Sequence, residues 1–287
     1  MLGLAELLSG APAAPHFAPK AKHVILLFMT GGRSQVDLLD PKPALAKYAG
    51  QRPSTVDLRT ERTTAGLLPT TFTFKKYGQS GIEFSEVLPQ LATVADDLCV
   101  IRSMFTTNPN HEQARSMFHQ GSMQISRPTM GSWISYGLGT ENKDLPAFTV
   151  LSPGFGGFVT SGFLPAEYQG TQLNTIETSQ DKMIRFLRNS QLNTEAQRAQ
   201  LDLTQALNRE HQANFGADAF LEGRIASMES AFRMQFAAMD TLDLNKEPQE
   251  IRDEYGSTTY ANGCLLARRL VESGVRYVAV HYGPGQP

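Results

Sequence analysis

Two carboxylates, Asp37 and Asp40, stand shortly after an apolar run, Val24 to Met29, and a glycine pair, Gly31-Gly32. With Thr30, Arg33 and Ser34 they are the polar groups that follow the turn at once, the first place to look for chemistry. Asp40 precedes Pro41, so the plainer alternative is that it starts a turn. A second set is Asn110, His111, Arg115 and His119. A spacing of four places the two histidines and the arginine on one helix face. His111 falls in the first turn, where free backbone N–H groups and the helix dipole favour anions. That arrangement suits an oxyanion; alternatively Arg115 pairs with an acidic neighbour and His119 packs beneath a loop. A third candidate, His281, closes the apolar run Val275 to Val280 just ahead of Gly283-Pro284-Gly285. A ligand, a base, or a hydrogen-bonded histidine at a sheet edge all fit there.

These residues need elements to hold them. Val24 to Met29 is bounded by Lys22 and the glycine pair and reads as a strand buried on both faces, the pattern of a central parallel strand. Ligands in open parallel sheets bind outside the carboxyl ends of strands. A short helical piece is expected around Ala44 to Tyr48, then an irregular region from Gln51 to Gly81 with an edge hairpin in TFTFKKYG. Ser85 is the expected cap of a helix carrying Val87, Leu88, Leu91 and Val94 and ended by Asp96-Asp97. Leu98 to Ile101 would follow as a second buried strand in a βαβ unit.

Asn110 caps the next predicted helix, with Gln113 completing a capping box and Gly121 stopping it. Thr129 caps another, Met130 to Leu138, which holds the single tryptophan, Trp133. Phe148 to Leu151 reads as a third strand ending in a glycine-rich loop, Ser152 to Gly157. From about Thr178 to Asp240 the pattern is helical, with Leu221, Ile225, Met228, Phe232, Phe236 and Met239 as a core stripe. A helix from Ser257 or Thr258 to Gly274 feeds the last strand, Val275 to Val280.

The chain has 287 residues with 26 basic and 28 acidic side chains, a net charge of -2. That balance speaks against a nucleic-acid or polybasic membrane surface. No apolar run approaches the roughly 20 residues of a membrane-spanning helix. Cys99 and Cys264 each sit in an apolar run and read as buried free thiols. Met1 to Pro15 is either the tail of an export signal or a short docking helix with a proline-rich linker. Phosphate-loop, dinucleotide, serine-hydrolase elbow and zinc-helix motifs do not occur. Residues alone therefore give an α/β protein with candidate sites near 30–40, 106–115 and 281.

Longer motifs add to this. The segments VILLFMTGGRSQVDLLDPKP, FKKYGQSGIEFSEVLPQLATVADDLCVIRSM, PNHEQARSMFHQG and RPTMGSWISYGLG resemble the domain-of-unknown-function family 1501 (DUF1501). So do SGFLPAEYQGTQL, LNREH, AFRMQ and LLARRLVESGVRYVAV, and the resemblance runs from about Lys20 to Gly285. It implies an exported protein with a twin-arginine signal, related to sulfatases within the alkaline phosphatase-like superfamily. The implied fold is a three-layer α/β/α sandwich with a mostly parallel sheet: residues 21–287 as one incomplete domain, helical over about 178–272, behind a remnant of signal or linker at 1–20. The implied activity is metal-assisted hydrolysis of a small-molecule or polysaccharide sulfate or phosphate ester, with a divalent Zn, Ca, Mg or Mn ion. The alternative is a non-catalytic exported binding or scaffold protein without a working metal centre.

Carried onto this sequence, the resemblance puts His111 in the sulfatase nucleophile slot and Arg115 in its arginine slot. His111 is not the cysteine, serine or threonine used there, and Thr30 stands where superfamily enzymes place a metal-binding aspartate. Thr106 and Thr107 are nearby hydroxyls out of register. The remaining expectations are Asp37, Asp40 and His281 as metal ligands, and Ser34, Asn110 and His119 as substrate-binding groups. The family's tryptophan- and histidine-rich segment would follow the last strand, so the chain is expected to be a fragment at both ends.

Overall fold

The computed structural model describes residues 18, 20–52, 65–106, 108–124, 126–153, 158–177, 179–184, 191–216 and 218–283. The possible leader, Thr107 and the loop glycines 154, 156, 157 and 285 lie outside the described residues. Contacts divide the chain into a larger unit, Met1–Phe28 with Ser126–Pro287, and a smaller one, Met29–Ile125. Strand β1, Val24–Met29, runs from the first into the second.

In the smaller unit the chain leaves β1 through Gly31 at φ 91° and Gly32 at φ 78°, left-handed values that a side chain would strain. Two short helices follow, α1 (Gln35–Leu38) and α2 (Pro43–Lys47). Strands β2 (Phe74–Tyr77) and β3 (Ile82–Ser85) then form an antiparallel hairpin with Phe74 opposite Ser85 and Tyr77 opposite Ile82. Phe84 is fully buried and, with Leu39, Ala92 and Ala95, makes this unit's core.

Here the sequence reading needs three corrections. Ser85 ends β3 instead of capping a helix, and the helix that follows, α3, spans only Pro89–Ala92. Asp96 does not terminate it; its carboxylate accepts the backbone N–H groups of Gln79 and Ser80 in the hairpin loop. Winding residues 95–97 into a 3-10 turn brings that acceptor to two otherwise unpaired donors. Leu98 to Ile101 forms no strand: Leu98 and Val100 pack on the Phe84 core while Cys99 and Ile101 face solvent. The expected βαβ unit is therefore absent from this stretch. Helix α4, His111–Gln120, ends at Gly121 in a left-handed C-cap, as the sequence predicts.

The larger unit contains helix α5 (Met130–Leu138), strands β4 (Phe148–Ser152) and β5 (Thr171–Asn174), helices α6 (Gln180–Met183), α7 (Thr194–Phe215), α8 (Ala219–Thr241), α9 (Gln249–Tyr255) and α10 (Thr259–Glu272), and strand β6 (Tyr277–Tyr282). Its sheet has the order β1-β6-β4-β5, and β4 pairs parallel with both β5 and β6. The protein is thus mixed α/β around a four-stranded parallel sheet. Strand β5 was not anticipated, because Thr-Gln-Leu-Asn has neither an apolar run nor a strong β signature.

β1 is an edge strand, against the expectation of a central one. Val24, Ile25, Leu27 and Met29 remain 39, 40, 54 and 40 % exposed, whereas every residue of β4 is buried. An apolar run signals a partner for both faces but does not say where in the sheet the strand sits. Strands β4, β5 and β6 carry side chains to two cores. Leu151, Leu173, Val278 and Val280 point to α8 and α10 through Met234, Ala238, Leu266 and Leu270. Phe148, Val150, Tyr277 and Ala279 point the other way, toward Ile134 of α5.

The α8 stripe also differs from expectation. Met228 and Phe236 are more than half exposed, and the buried face is Gly223, Met234 and Ala238. Gly223 fits against Pro165, a Cβ there standing 3.3 Å from Pro165 Cβ, while Met234 and Ala238 join the apolar core. Arg269 of α10 fastens its end, donating to the carbonyls of Thr241 and Asp240 and pairing with Glu247, which also holds Arg268. A cation at a helix C-terminus satisfies carbonyls that have no partner within the helix.

Candidate functional site

In the smaller unit the residues chosen for chemistry are largely committed to one another. Ser34 Oγ donates to Asp37 Oδ2 at 2.5 Å. Hydrogen bonds from Ser34 first, and then Thr70, hold the Asp37 carboxyl below the usual aspartate range. Asp40 is 7 % exposed, with Lys42 Nζ at 2.7 Å from one oxygen and Arg102 Nε at 3.8 Å from the other. Arg102 is also 3.9 Å from Glu83 on β3, so Asp40 belongs to a charge network that ties the chain after α1 to the hairpin.

Helix α4 behaves similarly. Asn110 is the N-cap, its Oδ1 accepting from the N–H groups of Glu112 and Gln113 at 3.0 and 3.4 Å. The capping box is not formed as expected. Gln113 instead contacts Asn108, and Asn108 Oδ1 accepts the Asn110 N–H at 2.8 Å. Two of the donors that would meet an oxyanion are thus turned to the cap. Arg115 pairs with Glu112 at 2.9 Å, the plainer of its two readings. His111 is exposed, while His119 is 6 % exposed with its ring against Phe118 at 5.1 Å. The shared face therefore runs from solvent into the interior, and His111, Arg115 and His119 do not have one common environment.

His281 is in the larger unit, inside β6 instead of just beyond it, and is 4 % exposed. Its ring lies 5.2 Å from that of Phe28 on β1. Leu151 pairs with Val280, and Ser152 with Asn174, so His281, Ser152 and Asn174 make one row across three strand ends. By strand alternation the row lies on the face of Val150 and Ala279. Ser152 and Asn174 were not singled out from sequence, since a terminal serine and asparagine look like ordinary strand stops. The row offers imidazole, hydroxyl and amide groups at the carboxyl edge, where parallel sheets bind ligands.

The donors do not suit a divalent ion. Asp40 is neutralised by Lys42 and Arg102, and Asp37 is engaged by Ser34. Among the described residues no three His, Cys, Asp or Glu side chains come together as a metal-holding group. Both cysteines are free, Cys99 exposed where burial was expected and Cys264 half-buried.

A family model described as "Protein of unknown function (DUF1501)" matches residues 21–284. The chain belongs to the DUF1501 family. No curated protein and no solved structure shows a significant match to this DUF1501 chain. Among its described residues no helix is long and apolar enough to cross a membrane.

Proposed function

We propose that this DUF1501 chain is a non-catalytic binding member of the alkaline phosphatase-like superfamily, exported from the cytoplasm, that retains the α/β/α framework without a working metal centre. Parallel strands with apolar cores on both faces support the three-layer framework. The observation that carries the loss of the metal centre is Asp40. The buried carboxylate nearest the first-strand turn is held between Lys42 and Arg102, so a cation binding there would have to displace two internal ones. The export is part of the proposal and rests on the resemblance of the long motifs alone.

A second reading, a metal-assisted hydrolase of sulfate or phosphate esters, is favoured by the His281–Ser152–Asn174 row, since that edge is where such chemistry would gather. One experiment separates the two. The purified chain is dialysed against Zn, Ca, Mg and Mn, freed of loose ions, and analysed by elemental mass spectrometry. It is also assayed on 4-nitrophenyl sulfate and 4-nitrophenyl phosphate. The binding reading expects no stoichiometric ion and no turnover above the uncatalysed rate. About one retained ion per chain with turnover abolished in His281→Ala would overturn it.

A further inference from the structure

A cavity of about 530 Å³ lies at the other end of the sheet, beside the amino-terminal ends of β4 and β5. It falls in the size range of small-molecule sites. Its wall from α8 carries Ser227, Ser230 and Arg233; α5 contributes Ser135; Lys143 precedes β4; and Tyr168 closes one side. From Tyr168 a strip of aromatic rings leads outward. Its ring centroids lie 5.2 Å from Tyr136, then 6.2 Å from Tyr136 to Trp133, then 5.7 Å to Phe163, each pair edge to face. Tyr136 is 43 % and Phe163 62 % exposed, so ring surface is presented to solvent beside a cavity whose wall is part hydroxyl and part apolar, the latter from Leu145, Phe148 and Met234.

The combination selects a ligand class. A lipid or steroid would suit the apolar part of the wall but would cover the Ser227 and Ser230 hydroxyls with apolar surface, at a cost. A phosphate-rich ligand would need a concentration of positive charge. Arg233 is instead already shared between Asp144 at 3.5 Å, Glu229 at 3.9 Å and the Lys143 carbonyl, and the lining carries Glu167 as well as Lys143. The molecule that matches a strip of exposed rings and a nearly charge-balanced cavity of mixed hydroxyl and apolar wall has an apolar C–H face and a hydroxyl edge. We propose that this cavity and its ring strip bind a neutral oligosaccharide. The site is remote from the His281 row along the strands and does not depend on whether the chain hydrolyses esters.

The single tryptophan makes the test direct. Trp133 fluorescence and, in parallel, titration calorimetry are followed on the full chain with cellohexaose, chitohexaose, laminarihexaose, mannohexaose and sulfated kappa-carrahexaose. The expected result is a saturable change with at least one neutral hexaose. Tyr136→Ala should raise its Kd about tenfold, the loss of one aromatic contact, and Leu203→Ala on α7 should leave it unchanged. Ser230→Ala, which removes a wall hydroxyl and puts the best helix former inside α8, should also weaken binding. No saturable signal with any hexaose up to about 10 mM would overturn the proposal. So would binding undiminished in both Tyr136→Ala and Ser230→Ala, or a preference for the sulfated chain.

Discussion

Phe148 offers a quantitative test of how the larger unit is built. Its ring, 2 % exposed at the start of β4, lies between two glycines. A Cβ on Gly131 of α5 would stand 2.4 Å from Phe148 Cδ2, and one on Gly170 would stand 2.5 Å from Cε1. The ring cannot retreat from one backbone without meeting the other. Gly131→Ala gains up to about 1 kcal/mol of helix propensity but forces an overlap that costs about 1–3 kcal/mol in a close-packed core. Gly137→Ala in the last turn of the same helix, with nothing within 4 Å of its new Cβ, keeps the gain alone. Gly131→Ala should therefore be less stable than Gly137→Ala by about 1–3 kcal/mol. Urea unfolding followed by Trp133 fluorescence reads this, and an unchanged m-value shows that the comparison is of stabilities. Adding Phe148→Leu to Gly131→Ala should cost less than the sum of the two, since the smaller side chain relieves the overlap. If Gly131→Ala were as stable as Gly137→Ala, the clamp on Phe148 would be refuted.

Three further outcomes are expected. On α8, Met234→Ala should cost about 2–4 kcal/mol in urea unfolding and Phe236→Ala less than about 1 kcal/mol, reversing the order that the apolar stripe in the sequence suggests. With a thiol reagent at mildly alkaline pH, exposed Cys99 should react at once and Cys264 slowly, because burial pushes the Cys264 thiol up; equal rates would count against the packing of α10. Hydrogen bonds first from Arg268 and then from Arg269 hold Glu247 below the ordinary glutamate value. Its stabilising contribution is therefore fully present above the unfolded glutamate value and is lost as pH falls through the lower folded value. Glu247→Gln should lower the unfolding midpoint at neutral pH, and the gap from the unmodified chain should close in acid.

Local chemistry was legible wherever it is made within a few residues. Asn110 and Gly121 bracket α4, Thr258 and Gly274 bracket α10, and Gly31-Gly32 turns the chain at positive φ, because caps and turns are satisfied by neighbours in the sequence. The family could also be recognised from long motifs. The rest depended on what each segment met in space. Val24 to Met29 carries the pattern of a central strand, yet its place at the sheet edge is set by which strands pair with it. The α8 stripe is amphipathic in sequence, yet Pro165 and the core around Leu266 and Leu270 bury Gly223, Met234 and Ala238. Candidate site residues show the same division. Residue type marks Asp40 and Arg115 as able to bind ions, but Lys42, Arg102 and Glu112 already hold them, and charge pairing acts over ångströms between side chains the sequence does not align. Ser152 joins His281 only through strand register, and the aromatic rim of the cavity exists only because α5 and the 163–168 segment pack together.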